Sequence, residues 1–300
     1  MALGCLADAE IDDALIYQLV YTLRNALDDQ MPKDGNEAVL NSIIFATAKL
    51  VGARLKTECS GPESAYLYEL FWVAVAVLEI ADGMTYSLAV RLVETCLMAL
   101  ASQDSLQRQH LPTFLLEKRK PFEPVIDALD EIVGVNFNRS FSFAMAALLA
   151  KGIKSQASRD IVRSAATVLL ELSSRHRIKV HEPAAGLANV KPTVSFEVLP
   201  YLAVLIPIIN TSDQLSRYFT LAGLNGEEYK HLPLASVWKK LFSDGSVEEM
   251  LDNETSLLLL SLTTNVLVSC EREKEILLLY TFFAEAAPNT RTTFPYVYVI

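Results

Sequence analysis

Ile11, Leu15, Leu19, Leu23 and Leu27 recur every four residues. That spacing sets one apolar stripe on one side of a helix and predicts a helix over about residues 9–27. Asp8, Asp12 and Asp13 crowd its first turn, where the helix dipole favours carboxylates. Pro32 and Gly35 interrupt the pattern, and a second helix is expected over about 36–56. Ser60-Gly61-Pro62 stops it, and Pro62 suits the opening turn of a third helix over about 63–81. A fourth follows over about 84–101, with Leu88, Leu92 and Leu97 facing inward. Asp82-Gly83 leaves room only for a tight corner between these two, so they are expected to form an antiparallel αα-hairpin. The first two helices are expected to pair in the same way.

Residues 103–124 are polar and marked by proline, with room for one helical turn near 113–116. A helix over about 122–133 ends at Gly134. Asn138 and Ser140 are candidate caps for a helix over about 139–150, and Gly152 is its expected left-handed C-terminal residue. The clearest amphipathic helix covers about 158–175, capped by Ser158, with Ile161, Ala165, Val168, Leu169 and Leu172 as its buried face. Residues 179–193 form the longest loop. Further helices are expected over about 195–209, 212–221, 233–242, 247–251, 254–270 and 273–286. A helix pair therefore returns every ~40 to 50 residues, close to the HEAT and armadillo period. The fold class expected is all-α, an α-solenoid of HEAT/armadillo-like helix pairs over residues 1–300, with a subdivision into 1–180 and 194–300 at the 179–193 loop. The competing fold is an irregular α-bundle.

Composition agrees with long helices. Of 300 residues, 51% are hydrophobic, while glycine (11) and proline (12) are scarce, and a β-rich chain would need many more turns. Net charge is −10, which argues against nucleic acid and against anionic membrane surfaces as partners. The compact basic runs are Lys118-Arg119-Lys120 and residues 175–179; both are short, and the second sits where a helix should end, so it is read first as cations complementing the helix dipole and second as a phosphate or partner site. Apolar runs at 70–81, 196–210 and 257–270 are shorter than the ~20 residues of a bilayer span, so direct membrane insertion is not expected. Cys5, Cys59, Cys96 and Cys270 are scattered, as reduced thiols in a cytosolic protein would be. Residues 1–10 lack the basic start and apolar core of a signal peptide. The apolar end, 293–300, suggests a segment of a longer protein or an end that docks.

Chemistry-bearing patterns are few. His110, His176, His181 and His231 show no metal-ligand spacing, and no CxxC, GxxxxGK[ST], GxGxxG or GxSxG occurs. No catalytic residue, cofactor or metal is assigned. Asp127/Asp130/Glu131 and Glu248/Glu249/Asp252 are expected on solvated helix faces. Ser173-Ser174-Arg175-His176 has no partner that spacing identifies as a base. Asn136, Asn138 and Arg139 form the most unusual polar cluster. They either contact a partner or hold a turn while Phe137, Phe141 and Phe143 enter the core.

The run from Asp130 through Gly134-Val135-Asn136-Phe137-Asn138-Arg139-Ser140-Phe141-Ser142-Phe143, continuing to Leu148-Leu149-Ala150-Lys151-Gly152, resembles the region after the lipid-binding module in the neurofibromin family. Three more stretches resemble that family in the same order. Upstream lies Leu70-Phe71-Trp72-Val73-Ala74-Val75-Ala76-Val77. Downstream lie residues 158–176, with Ile161-Val162-Arg163 and His176-Arg177, and then Glu275-Ile276-Leu277-Leu278-Leu279-Tyr280 with Ala284-Glu285-Ala286 and Phe294-Pro295. The likeness covers about residues 67–300 and departs between 182 and 254, where animal members carry a long polar insert and this chain is short, as in fungal relatives.

The resemblance implies a non-catalytic HEAT/armadillo scaffold segment of a Ras GTPase-activating protein, a negative regulator of Ras signalling. Its implied roles are dimerisation, positioning of the activating domain and partner binding. Implied partners are proteins, other segments of the same parent chain and a second copy in a homodimer, with Ras reached only through an activating domain outside this chain. The implied location is cytoplasmic, peripheral at membranes through the parent. The family's arginine finger has no match here, so no catalytic role passes to Arg139. Two rivals stand beside this expectation: a free-standing α-solenoid adaptor in trafficking or transport, and an all-α enzyme with an internal cavity.

Overall fold

The computed structural model describes residues 36–57, 66–81, 83–101, 110–119, 136–138, 140–153, 155–180, 197–205, 208 and 212–221, with Ala14, Gln18, Leu19, Tyr21 and Thr22. These residues are 91% helical with no strand among them, so the described fold is all-α. The helices expected over 122–133, 233–242, 247–251, 254–270 and 273–286 lie outside the described residues. The chain divides into two compact units, Met1–Arg139 and Ser140–Ile300.

The first unit contains α1 (Asn36–Thr57), α2 (Tyr66–Ile80), α3 (Gly83–Ala101) and the short α4 (Leu111–Glu117). In α1, Leu40, Ile44, Thr47, Ala48 and Val51 are buried, a stripe at three- and four-residue steps. Helix α3 lies against both α1 and α2. From Tyr66 to Glu79 every residue of α2 except Glu69 is buried, so its apolar run serves as a central core helix. Gly83 makes the corner between α2 and α3 with φ of 57°, as the Asp82-Gly83 turn signal predicts. The turn expected near 113–116 is the seven-residue α4.

Two glycines make opposite demands. A Cβ on Gly52, within α1, would meet Thr95 Cγ2 at 3.9 Å, an ordinary contact. Gly52→Ala is therefore expected to stabilise the protein by about 0.5–1 kcal/mol through helix propensity. A Cβ on Gly83 would meet nothing within 4 Å, yet its positive φ strains any L side chain. Gly83→Ala is expected to cost about 1–2 kcal/mol. Chemical denaturation of both variants checks the pair, and equal signs would refute the account.

The second unit contains α5 (Phe141–Ala150), a 3₁₀ turn (Lys151–Ile153), α6 (Gln156–Val180), α7 (Leu199–Leu205) and α8 (Ser212–Leu221). Helix α7 packs on both α5 and α6, and α8 packs on α6. Arg159 donates from Nε to the Ile153 carbonyl at 2.6 Å, which ties the start of α6 to the 3₁₀ turn.

Several local expectations need correction. Gly152 is not left-handed, because the chain tightens into the 3₁₀ turn and satisfies its end that way. Asn138 does not cap α5; Ser140 holds that position in an extended conformation and makes no side-chain cap bond. Ser158 lies inside α6, since the Ser155 carbonyl accepts the first helical N–H bonds, from Ser158 and Arg159. The same helix continues to Val180, past the expected end at 175 and into the expected 179–193 loop. Its buried face is rotated by about one residue. Val162, Ala165, Ala166, Leu169, Leu170 and Leu172 are buried, whereas Ile161 and Val168 are half-exposed. Leu88 in α3 is likewise half-exposed, while Leu92 and Leu97 are buried.

Several hydroxyl side chains inside these helices bond to their own helix. Ser42, Thr47, Ser87, Thr95, Thr167, Ser174 and Thr220 each donate to the carbonyl four residues earlier at 2.7 to 3.0 Å.

Candidate functional site

The Asn136–Asn138 segment is a turn of the first unit with both asparagines exposed and Phe137 fully buried between them. Arg139 lies outside the described residues. Phe141 and Phe143 are buried in α5 of the second unit. The aromatic residues of this stretch are therefore core residues, and the two asparagines are left on the surface.

Phe137 leads to a feature the sequence did not reveal. Its ring meets the Trp72 ring edge to face, with centroids 5.3 Å apart and planes at 85°. The Arg119 guanidinium lies 5.1 Å from the centroid of each ring. Arg119 is only 1% exposed. The short basic run Lys118-Arg119-Lys120 thus places its middle member in the interior. Arginine suits this place because its delocalised, weakly hydrated guanidinium lies flat on aromatic faces.

Helix α2 supplies the rest of the assembly. Trp72 Nε1 donates to the Leu115 carbonyl at 2.9 Å, and Phe71 meets Trp72 edge to face at 5.2 Å. Tyr68 meets Phe114 edge to face at 5.0 Å. Lys118, exposed, holds its Nζ 5.5 Å from the Tyr68 centroid and 5.8 Å from that of Phe114. Two successive cations of one basic run therefore cap two aromatic pairs of α2 and its neighbours. The arrangement fixes the 110–119 segment and the 136–138 turn onto α2.

Groups outside this cluster have structural surroundings. Ser174 donates its hydroxyl to the Leu170 carbonyl at 2.7 Å, inside α6. His110 Nδ1 is 3.0 Å from the Thr113 hydroxyl at the start of α4. His176, and both carboxylate groups singled out from the sequence, have side chains outside the described residues. Among the described residues no three His, Cys, Asp or Glu side chains gather in a way that would hold a metal ion. Helix α3 is, among the described residues, the one long and apolar enough to cross a membrane. More than half of it is buried within the protein, and it carries Arg91 and Glu94.

Two buried groups give the fold a pH response. Burial pushes the Cys96 thiol up from its ordinary value of 9.0. Burial also pushes the Tyr201 phenol up from 10.0, and the charge of Glu197 adds to that rise. In each case the native state keeps a proton that the unfolded chain releases. This contribution to stability is complete below about pH 9 and is lost as pH rises beyond it. Above pH 10 the two groups together are expected to give a slope of up to about 2.7 kcal/mol per pH unit. Urea unfolding between pH 7 and 10.5 measures this, and Cys96→Ala is expected to remove about half the slope. An unchanged slope in that variant would contradict the assignment. No protein-family model matches the chain.

Proposed function

We propose that this chain is a non-catalytic helical scaffold, a HEAT/armadillo-like solenoid segment of a neurofibromin-like Ras GTPase-activating protein. The observation that carries the proposal is the ordered series of stretches resembling that family, of which residues 70–77 fall in the buried α2 and residues 158–176 in α6. The packed hairpin of α2 and α3, and the packing of α1 on α3, support a stack of helix pairs. In this reading the chain positions an activating domain located elsewhere in the parent protein, contributes to a homodimer and binds protein partners. It is cytoplasmic, reaches membranes only through the parent, and takes no cofactor.

The test is the complete open reading frame, read from transcripts that contain this sequence. An in-frame Ras-activating domain upstream is the expected result. A frame that encodes these 300 residues alone would favour the adaptor and defeat the proposal. A second measurement is GTP hydrolysis by purified Ras. The isolated chain is expected to leave its rate unchanged, and acceleration by the chain alone would overturn the non-catalytic role.

A further inference from the structure

Helix α3 presents one side to solvent while its other sides pack on α1 and α2. Met84 is 69% exposed and Met98 is 50% exposed, and Arg91, also exposed, stands midway between them. The three are seven residues apart in turn, so they lie along one line of the helix, with about 10 Å of rise per step. Leu88 and Thr95, both half-buried, fill the line between them. No described residue pairs with the Arg91 guanidinium, and Glu94 on the next turn already has an interaction of its own. Among the described residues Arg91 thus has no partner, and it stands between two exposed flexible thioethers.

We propose that this face of α3 is a docking surface for an amphipathic helix of a protein partner. That helix carries Asp or Glu between two apolar residues spaced a heptad apart. Methionines adapt their shape to an incoming apolar side chain, and a ridge with seven-residue spacing matches the i, i+7 anchors of a helix laid along it. Charge fixes the register. The chain as a whole carries −10 and repels acidic segments, so a partner carboxylate is placed by Arg91 and not by general attraction. The same charge argues against the other occupants. A second copy related by a two-fold axis, with Met84 facing Met98, would set Arg91 against its own counterpart. A bilayer would have to accept a guanidinium at the middle of the buried line. The inference goes beyond the proposed function and does not depend on it.

The test is selection from a phage-displayed library of 14-residue helical peptides randomised along one face. The whole chain is the target, and its Arg91→Ala variant is used for counter-selection. Enriched peptides are expected to carry an acidic residue between apolar positions seven apart. The best of them, made synthetically and followed by fluorescence anisotropy, is expected to bind Arg91→Glu at least tenfold more weakly. Exchanging its own acidic residue for Lys is expected to restore binding to that variant. No enrichment, enrichment of basic peptides, or binding that ignores the charge swap would overturn the proposal. So would flotation of the chain with phosphatidylcholine/phosphatidylserine vesicles, or a dimer by light scattering, if either is abolished by Arg91→Glu. Circular dichroism of the Arg91 variants is expected to match the parent, since this side chain is exposed and pairs with no described residue.

Discussion

Trp72→Ala is expected to cost about 4–5 kcal/mol, which is most of the stability an ordinary domain possesses. The indole is fully buried, and its removal leaves a cavity between Phe71 and Phe137 that a helix as crowded as α2 cannot collapse to fill. The Leu115 carbonyl loses the Nε1 donor that α2 sends to it, and the Arg119 cation loses one of its two covering rings. Trp72→Phe separates these effects. It keeps an aromatic face under Arg119 and removes only the hydrogen bond and the second ring, so its cost is expected to be about 1–3 kcal/mol. Urea unfolding followed by far-ultraviolet circular dichroism provides the comparison. A Trp72→Ala unfolding free energy within about 1 kcal/mol of the parent would remove Trp72 from the centre of the first unit.

The second large effect concerns Arg119. Arg119→Ala is expected to cost about 3 kcal/mol, from lost contact with two rings and an opened core. Arg119→Lys is expected to recover less than half of that. An ammonium is a compact, strongly hydrated charge, and it cannot lie flat against two rings at once. The more pointed measurement is a double-mutant cycle between Arg119→Ala and Phe137→Leu, which keeps bulk at 137 and removes its π face. A coupling of about 1–2 kcal/mol is expected. For Lys118 and Tyr68, where the cation is exposed, about 0.5 kcal/mol is expected. Couplings of equal size at the two sites would mean that burial is not what gives the Arg119 stack its strength.

Sequence periodicity located α1, α2, α3, α5 and α8 to within a few residues, because each owes its limits to a local signal. Gly83 supplies the corner before α3, and the bounds of α8, Ser212–Leu221, match those expected. It missed the C-terminal end of α6, which runs on to Val180, and misplaced its cap. Ser158 has the chemistry of a cap, but Ser155 is as good, and nothing local ranks them; packing of Val162, Ala166 and Leu170 decides the face. The Arg119 stack was invisible for a different reason. Trp72, Arg119 and Phe137 lie far apart in the chain, and a lone arginine in a basic run is normally solvated. Phe137 was expected in the core on its own merits, yet nothing in its neighbourhood announced the cation it would cover. The exposed line of Met84, Arg91 and Met98 was hidden too, because exposure of a methionine depends on what packs beside α3 and not on the composition of α3.

The hydroxyls that bond back to their own helices have a consequence for how such a chain drifts over time. At Thr47 or Ser174 the polar atom is already satisfied four residues upstream, so the neighbouring helix meets only a small apolar surface. Replacing Ser or Thr by Ala there removes a bond that no other helix relies on, at a cost of about 0.5–1 kcal/mol or less. Ala, Ser and Thr then become nearly interchangeable at interior positions, where residue identity is normally held most tightly. Two chains can diverge in their letters at these sites while keeping the same helices in the same places. Kinship in a protein of this construction will persist longest at its large, shape-defining residues, such as Trp72 and Phe137, and will fade first among its small ones.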